Sequence, residues 1–155
     1  MTTDPLRLSF EIACPRDHAF DVWTKRMDVW WPKGHSTSGD PATVVTLEPR
    51  IGGRIYERTS DGTRVDWGEI TRWDPPRSLA YLWHIGRELD DATDVELTFV
   101  DNGDGTTRLD IVHSGWQRLA DGGAYRDANT RGWQSLIPSF TEAACRGGAT
   151  EAVRP

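Results

Sequence analysis

The feature that most constrains this chain is a change of hydrophobic period near its end. From about Thr43 to His113, apolar residues recur at every second position between clusters of turn residues. From about Ala124 to Arg146 the period becomes helical, with Trp133, Leu136, Ile137, Phe140 and Ala144 at i, i+3, i+4, i+7 and i+11. Alternation gives strands with one apolar face; the later spacing gives a helix with one apolar stripe. In 155 residues, too few for several cores, the long helix is the natural cover for the sheet. Pro138 inside that helix should kink it, or lie where the lost hydrogen bond is tolerated.

The other elements follow from periods and breakers. Leu6, Leu8, Phe10 and Ile12 alternate with Arg7, Ser9 and Glu11, which predicts a first strand. Pro15 is expected at N1 of a helix over about 15–27, ending before Trp30-Trp31-Pro32. A loop rich in Gly, Ser and Thr then runs to about Pro41. Strands are expected over Thr43–Glu48, from Gly53 to about Thr59, and over Thr63–Trp73, with Ser60-Asp61-Gly62-Thr63 as a hairpin turn. Asp74-Pro75-Pro76-Arg77 breaks the chain before Ser78–Ile85. Alternation around Val95, Leu97 and Phe99, then over Thr106–His113, completes seven strands in the order β-α-β₆-α. The chain is read as a single domain over 1–155, its core at about 6–146. In the hairpin from Arg54 to Thr71 both faces mix apolar and charged residues; Ile55 and Ile70 are taken as inside, with Gly68 a candidate bulge.

Composition narrows the function. No apolar run reaches the roughly 18 residues that span a bilayer. The N-terminus has neither the basic start nor the apolar stretch of a signal peptide, so a cytoplasmic location is expected. The net charge of −6 argues against a nucleic-acid partner. Four histidines at 18, 35, 84 and 113 show no zinc-ligand spacing, and no phosphate loop or dinucleotide fingerprint is present, so neither metal nor cofactor is expected. Gly34-His35-Ser36-Thr37-Ser38 lacks the closing glycine and the strand of a nucleophile elbow. Eight tryptophans in so small an acidic chain either fill a large core or line a cavity for something flat and apolar.

The order of elements, with Trp30-Trp31-Pro32, Gly52-Gly53-Arg54, Trp67-Gly68-Glu69-Ile70, Asp74-Pro75-Pro76-Arg77 and His113-Ser114-Gly115-Trp116, resembles the bacterial proteins named after the activator of Hsp90 ATPase. These belong to the START-like, or SRPBCC, superfamily. The resemblance implies an α+β helix-grip fold: a seven-stranded antiparallel sheet curved around the C-terminal helix, with an apolar cavity between them.

On that frame the expected ligand-binding residues are Phe10, Trp31, Tyr81, Trp83, His113, Trp116, Trp133 and Ile137. Tyr81 and Trp83 share an inward phase, Trp133 and Ile137 lie on the helix's inner stripe, and Trp31 sits in a loop that this fold places near the cavity mouth. His113 shares the inward phase of Leu109 and Ile111 and should be buried. It either orients a ligand's carbonyl or hydroxyl, or is satisfied by protein groups as a core histidine. The expected function is non-catalytic binding of a small apolar molecule, aromatic or lipid-like, in that cavity. The alternatives are a cyclase or aromatase-type enzyme with His113 as acid or base, and an Hsp90-activator-like co-chaperone or protein-interaction module.

Overall fold

The computed structural model describes residues 2–153. Seven strands form one curled antiparallel sheet: β1 (Leu6–Ile12), β2 (Val44–Leu47), β3 (Arg54–Arg58), β4 (Arg64–Asp74), β5 (Ser78–Trp83), β6 (Thr93–Asp101) and β7 (Thr107–Ser114). The spatial order is β1-β7-β6-β5-β4-β3-β2, a meander closed by the first strand pairing with the last. Helices α1 (Arg16–Lys25) and α2 (Met27–Trp30) carry the chain from one sheet edge to the other. The long α3 (Gly122–Val153) lies on the apolar face and packs also on α1, α2 and β1.

The helical stripe is buried as its spacing requires: Trp133, Leu136, Ile137, Phe140 and Ala144 are all in the core. Opposite them the sheet contributes Ile55, Ile70, Leu79, Val95, Leu97, Phe99, Leu109 and Ile111. Pro138 does not end the helix. It is exposed, as is Gln134, whose carbonyl the missing N–H would have met, so water can take up the lost bond.

Three boundaries differ from those expected. Pro15 is the N-cap of α1, in extended conformation, rather than its N1 residue. The first helix stops at Lys25 because Arg26 leaves helical geometry, and a further turn, α2, takes in Trp30. That turn buries Met27 and Trp30, and the Trp30 indole donates to the Val22 carbonyl in the last turn of α1. Strand β5 ends at Trp83 rather than Ile85, where His84 N–H turns to the Trp67 carbonyl and Gly86 adopts positive φ.

The hairpin of β3 and β4 owes its mixed faces to a bulge. Ile55 pairs with Gly68 but Tyr56 pairs with Asp66, leaving Trp67 as the extra residue. The phase flips there, so Trp67 is buried before the bulge and Gly68 and Ile70 after it. Ile55 and Ile70 are both inside. Gly68 is required: a Cβ there would collide with the Leu82 carbonyl of the neighbouring strand. Arg54 and Glu69 face each other across the hairpin at 3.4 Å, half-exposed, an ion pair of small energetic weight.

Candidate functional site: an aromatic cavity between β5 and α3

A cavity of about 260 Å³ opens between β5 and α3. Strand β5 contributes Tyr81 and Trp83, two positions apart and therefore on one face, with Ile85 just beyond. The loop after α2 contributes Trp31, His35 and Ser36. From α3 come Ala128, Gly132 and Leu136, at i, i+4 and i+8, with Asn129 and Trp133 beside them. The wall is overwhelmingly apolar.

The room exists because the helix is thin there. A Cβ at Gly132 would meet nothing within 4 Å. Glycine inside a helix costs about 1 kcal/mol relative to alanine, so packing does not explain this one; an open cavity does.

The indoles divide between the two roles that composition left open. Trp31, Trp83 and Trp133 line the cavity, while Trp23, Trp30, Trp67 and Trp116 are fully buried. All of these but Trp116 form a continuous belt: Trp31 lies 5.1 Å from Trp67 and 5.8 Å from Trp83 by ring centroids, Trp30 links Trp31 to Trp23, and Trp23 stacks on Trp133. The void has a rigid aromatic floor.

His113 stands behind that floor. Its Nδ1 accepts from the Trp133 indole N–H at 3.1 Å, and its Nε2 lies 2.7 Å from the Thr93 hydroxyl, which donates onward to the Trp83 carbonyl. This chain of donors requires the neutral Nε2–H tautomer. Burial pushes the imidazole down to about 3. Both ring nitrogens are engaged by protein groups, so His113 reaches the cavity only through Trp133. Trp116 packs on the imidazole at 4.2 Å and donates to the His113 carbonyl. Neither residue is part of the cavity wall, and neither is Ile137, which turns into the core. Phe10 lies half-buried on β1, three strands from β5 in the sheet.

A second ionisable group, Glu57 on β3, is fully buried. Its carboxylate accepts from the Thr37 N–H at 2.9 Å, the Thr37 hydroxyl, the Ser38 and Thr43 hydroxyls at 2.8 Å, and the Trp67 indole at 3.3 Å. Burial alone would raise its pKa, but the hydrogen bonds together outweigh it, so the group sits below the ordinary glutamate value. Thr37 and Ser38 directly follow the cavity residues His35 and Ser36. Glu57 thus pins the loop that forms one side of the mouth. Its place beside Ile55 on one phase, and the hydroxyl-rich loop at 36–43, were the signals for it in the sequence.

The described residues include no cluster of His, Cys, Asp and Glu able to hold a metal ion, and no helix long and apolar enough to cross a membrane.

A sheet wrapped on one long helix with an apolar pocket between them defines a class of cavity proteins, and comparison with known families places the chain within it. It belongs to the Activator of Hsp90 ATPase homolog 1-like family, whose model matches residues 13–144. Among solved structures it is similar to an anthrahydroquino-γ-pyrone synthase, at 36% identity over 76% of this chain and 80% of that one, with a TM-score of 0.57. It is also similar to CalC, a self-sacrificing resistance protein from Micromonospora echinospora, at 26% identity over 94% and 96% of the two chains, with a TM-score of 0.68. Protein MLL2253 from Mesorhizobium loti, 17% identical over 92% and 97%, shares the fold with a TM-score of 0.69. No curated protein matches the sequence.

Proposed function

We propose that this protein binds a small, flat, apolar molecule with fused aromatic rings in the cavity between β5 and α3, without transforming it. The observation that carries the reading is the pairing of an indole-lined void with a helix left thin at Ala128 and Gly132. Aromatic walls favour aromatic guests by stacking and edge contacts, and a cavity of about 260 Å³, just under the usual range for drug-sized ligands, suits a compact guest of two or so rings. Among the described lining residues His35 is the one imidazole, and no carboxylate joins it. That wall suits holding more than proton transfer.

The test uses 2-isopropylnaphthalene as the probe. Wild-type protein should show saturable one-to-one quenching of tryptophan emission. Gly132→Leu should abolish it by filling the void while raising the melting temperature, because leucine restores helix propensity. Binding that survives the plug lies elsewhere and defeats the proposal.

A second reading, a cyclase-type enzyme using the same cavity, draws on the likeness to the pyrone synthase. It requires that the cavity fold a reactive chain onto itself, with rate supplied by positioning. Accelerated ring closure of an ortho-hydroxyaryl 1,3-diketone, read by mass spectrometry as loss of water, would favour the enzyme over the binder.

A further inference from the structure

Most buried indole N–H groups in this protein have a partner. Trp30, Trp31, Trp67, Trp116 and Trp133 each donate to a backbone carbonyl or a side chain. In the cavity wall the Tyr81 hydroxyl and the Trp83 N–H do not, and the buried Nδ1 of His35 is also without a partner. Tyr81 is 3% exposed and Trp83 is 6% exposed, yet among the described residues neither the Tyr81 hydroxyl nor the Trp83 N–H is hydrogen-bonded. Trp23 also lacks a partner for its N–H, but that atom is sealed within the core. The Tyr81 and Trp83 groups are not sealed in this way, and both residues face the cavity.

Buried hydroxyl and indole N–H groups ordinarily find a partner, because leaving one unmet costs on the order of a hydrogen bond. Tyr81 and Trp83 lie on the same face of β5 with ring centroids 5.7 Å apart. Burial also raises the phenol's pKa, so the Tyr81 hydroxyl keeps its proton and can donate it. Two donors thus stand side by side on the β5 wall of a mostly apolar void, and an indole N–H can only donate.

Resting on the binding function proposed above, we infer that Tyr81 and Trp83 form a subsite for an acceptor oxygen, and that the ligand is an aromatic molecule bearing a ring-attached carbonyl. The carbonyl takes the place of the missing partner, while the rings occupy the indole-lined space toward Trp31 and Trp133. The subsite orients the guest: a plain hydrocarbon can enter in several poses, but a ketone is held by its oxygen against β5.

The test uses two probes of the same shape, 2-acetylnaphthalene and 2-isopropylnaphthalene, which differ in having or lacking the acceptor. Tyr81→Phe removes one oxygen that bonds to nothing in the free protein, so the melting temperature should hold or rise. The same change should weaken 2-acetylnaphthalene binding about five- to tenfold, the worth of one hydrogen bond, and leave 2-isopropylnaphthalene unchanged. Trp83→Phe, which also shortens the aromatic wall, should weaken both probes but 2-acetylnaphthalene by the larger factor. If both probes bind and both variants treat them alike, the carbonyl subsite is overturned while the cavity reading stands. If neither probe binds wild-type protein, the cavity reading itself falls. A lower melting temperature in Tyr81→Phe would show that the hydroxyl serves the fold, and would overturn the assignment to a ligand.

Discussion

Glu57 and His113 occupy comparable places and are held in opposite charge states. Glu57 lies two strands from β5 on one side and His113 two strands from it on the other. Each is buried behind a tryptophan: Glu57 behind Trp67, His113 behind Trp133. Burial disfavours the charged form of both. Glu57 nevertheless stays ionised because two oxygens collect donors from Thr37, Ser38, Thr43 and Trp67. His113 stays neutral because burial disfavours the imidazolium and nothing offsets it, the Trp133 N–H occupying the very nitrogen that a second proton would need. Donors offset burial at Glu57, and burial prevails at His113. In both places polar groups behind the floor hold indoles in position, which lets the surface in front of them remain apolar.

The largest effect is expected where a charge organises a loop. Glu57→Leu removes the shared acceptor of four residues and leaves the Trp67 N–H buried without a partner. The cost should exceed about 3 kcal/mol, since bonds to charged groups are worth roughly 1.5–3 kcal/mol each and are only partly additive. Urea unfolding measures it. The loop at His35 and Ser36 should also loosen, seen as faster amide exchange there. A loss below about 1 kcal/mol would mean that the carboxylate is not the latch.

His113→Leu comes next, at about 2–3 kcal/mol, because only neutral bonds are broken: the Trp133 N–H is orphaned and the Thr93 hydroxyl loses the bond it accepted. The pH dependence separates the two groups further. The unfolded chain takes up a proton on this histidine near pH 6.5, and the native state refuses it until about 3. Stability therefore falls as pH falls through that window, at up to about 1.4 kcal/mol per pH unit. Glu57 has the depressed pKa of a stabilised carboxylate, so its contribution persists down to about pH 4.3 and is lost only below it. His113→Gln, about 1 kcal/mol less stable than wild type at pH 7.5, should draw level near pH 6 and become the more stable protein by pH 5. Parallel curves for the two proteins would show that His113 is not buried neutral.

The fold was legible because its signals are periodic, and the site was legible only where it borrows them. Alternation revealed seven strands, and the stripe from Trp133 to Ala144 revealed the long helix. The same rules carried Tyr81, Trp83 and Trp133 to the inner face. They could not decide the β3–β4 hairpin, because one extra residue at Trp67 reverses the phase mid-strand. They passed over Ala128 and Gly132, whose importance lies in the side chains they lack. They also could not tell Leu136, in the cavity wall, from Ile137, one helical step further into the core. Phe10 shows the limit most plainly: an inward phase places a residue on the right face of a sheet but not above the right strand.

The smallest expected effect is the sharpest comparison, because it makes the same chemical change on each side of β5. Thr43→Val and Thr93→Val each exchange a buried hydroxyl for a methyl group of nearly equal size. At Thr93 two neutral bonds are lost, one accepted from the His113 ring N–H and one donated to the Trp83 carbonyl, so about 1–2 kcal/mol is expected. Its size should not change between pH 7 and about 3, because the native imidazole is neutral throughout that range. At Thr43 the hydroxyl donates to a carboxylate, and about 1.5–2 kcal/mol is expected at pH 7. Removing it raises the Glu57 pKa, so part of the stabilisation that ionisation supplies is already missing above pH 4.3. As acid protonates Glu57 in both proteins, that difference should fade. Urea unfolding at stepped pH distinguishes the cases: a constant deficit for Thr93→Val and a shrinking one for Thr43→Val. A constant deficit at Thr43 would mean that Glu57 is protonated in the native state across the whole range, and the contrast between a charged and a neutral anchor would collapse.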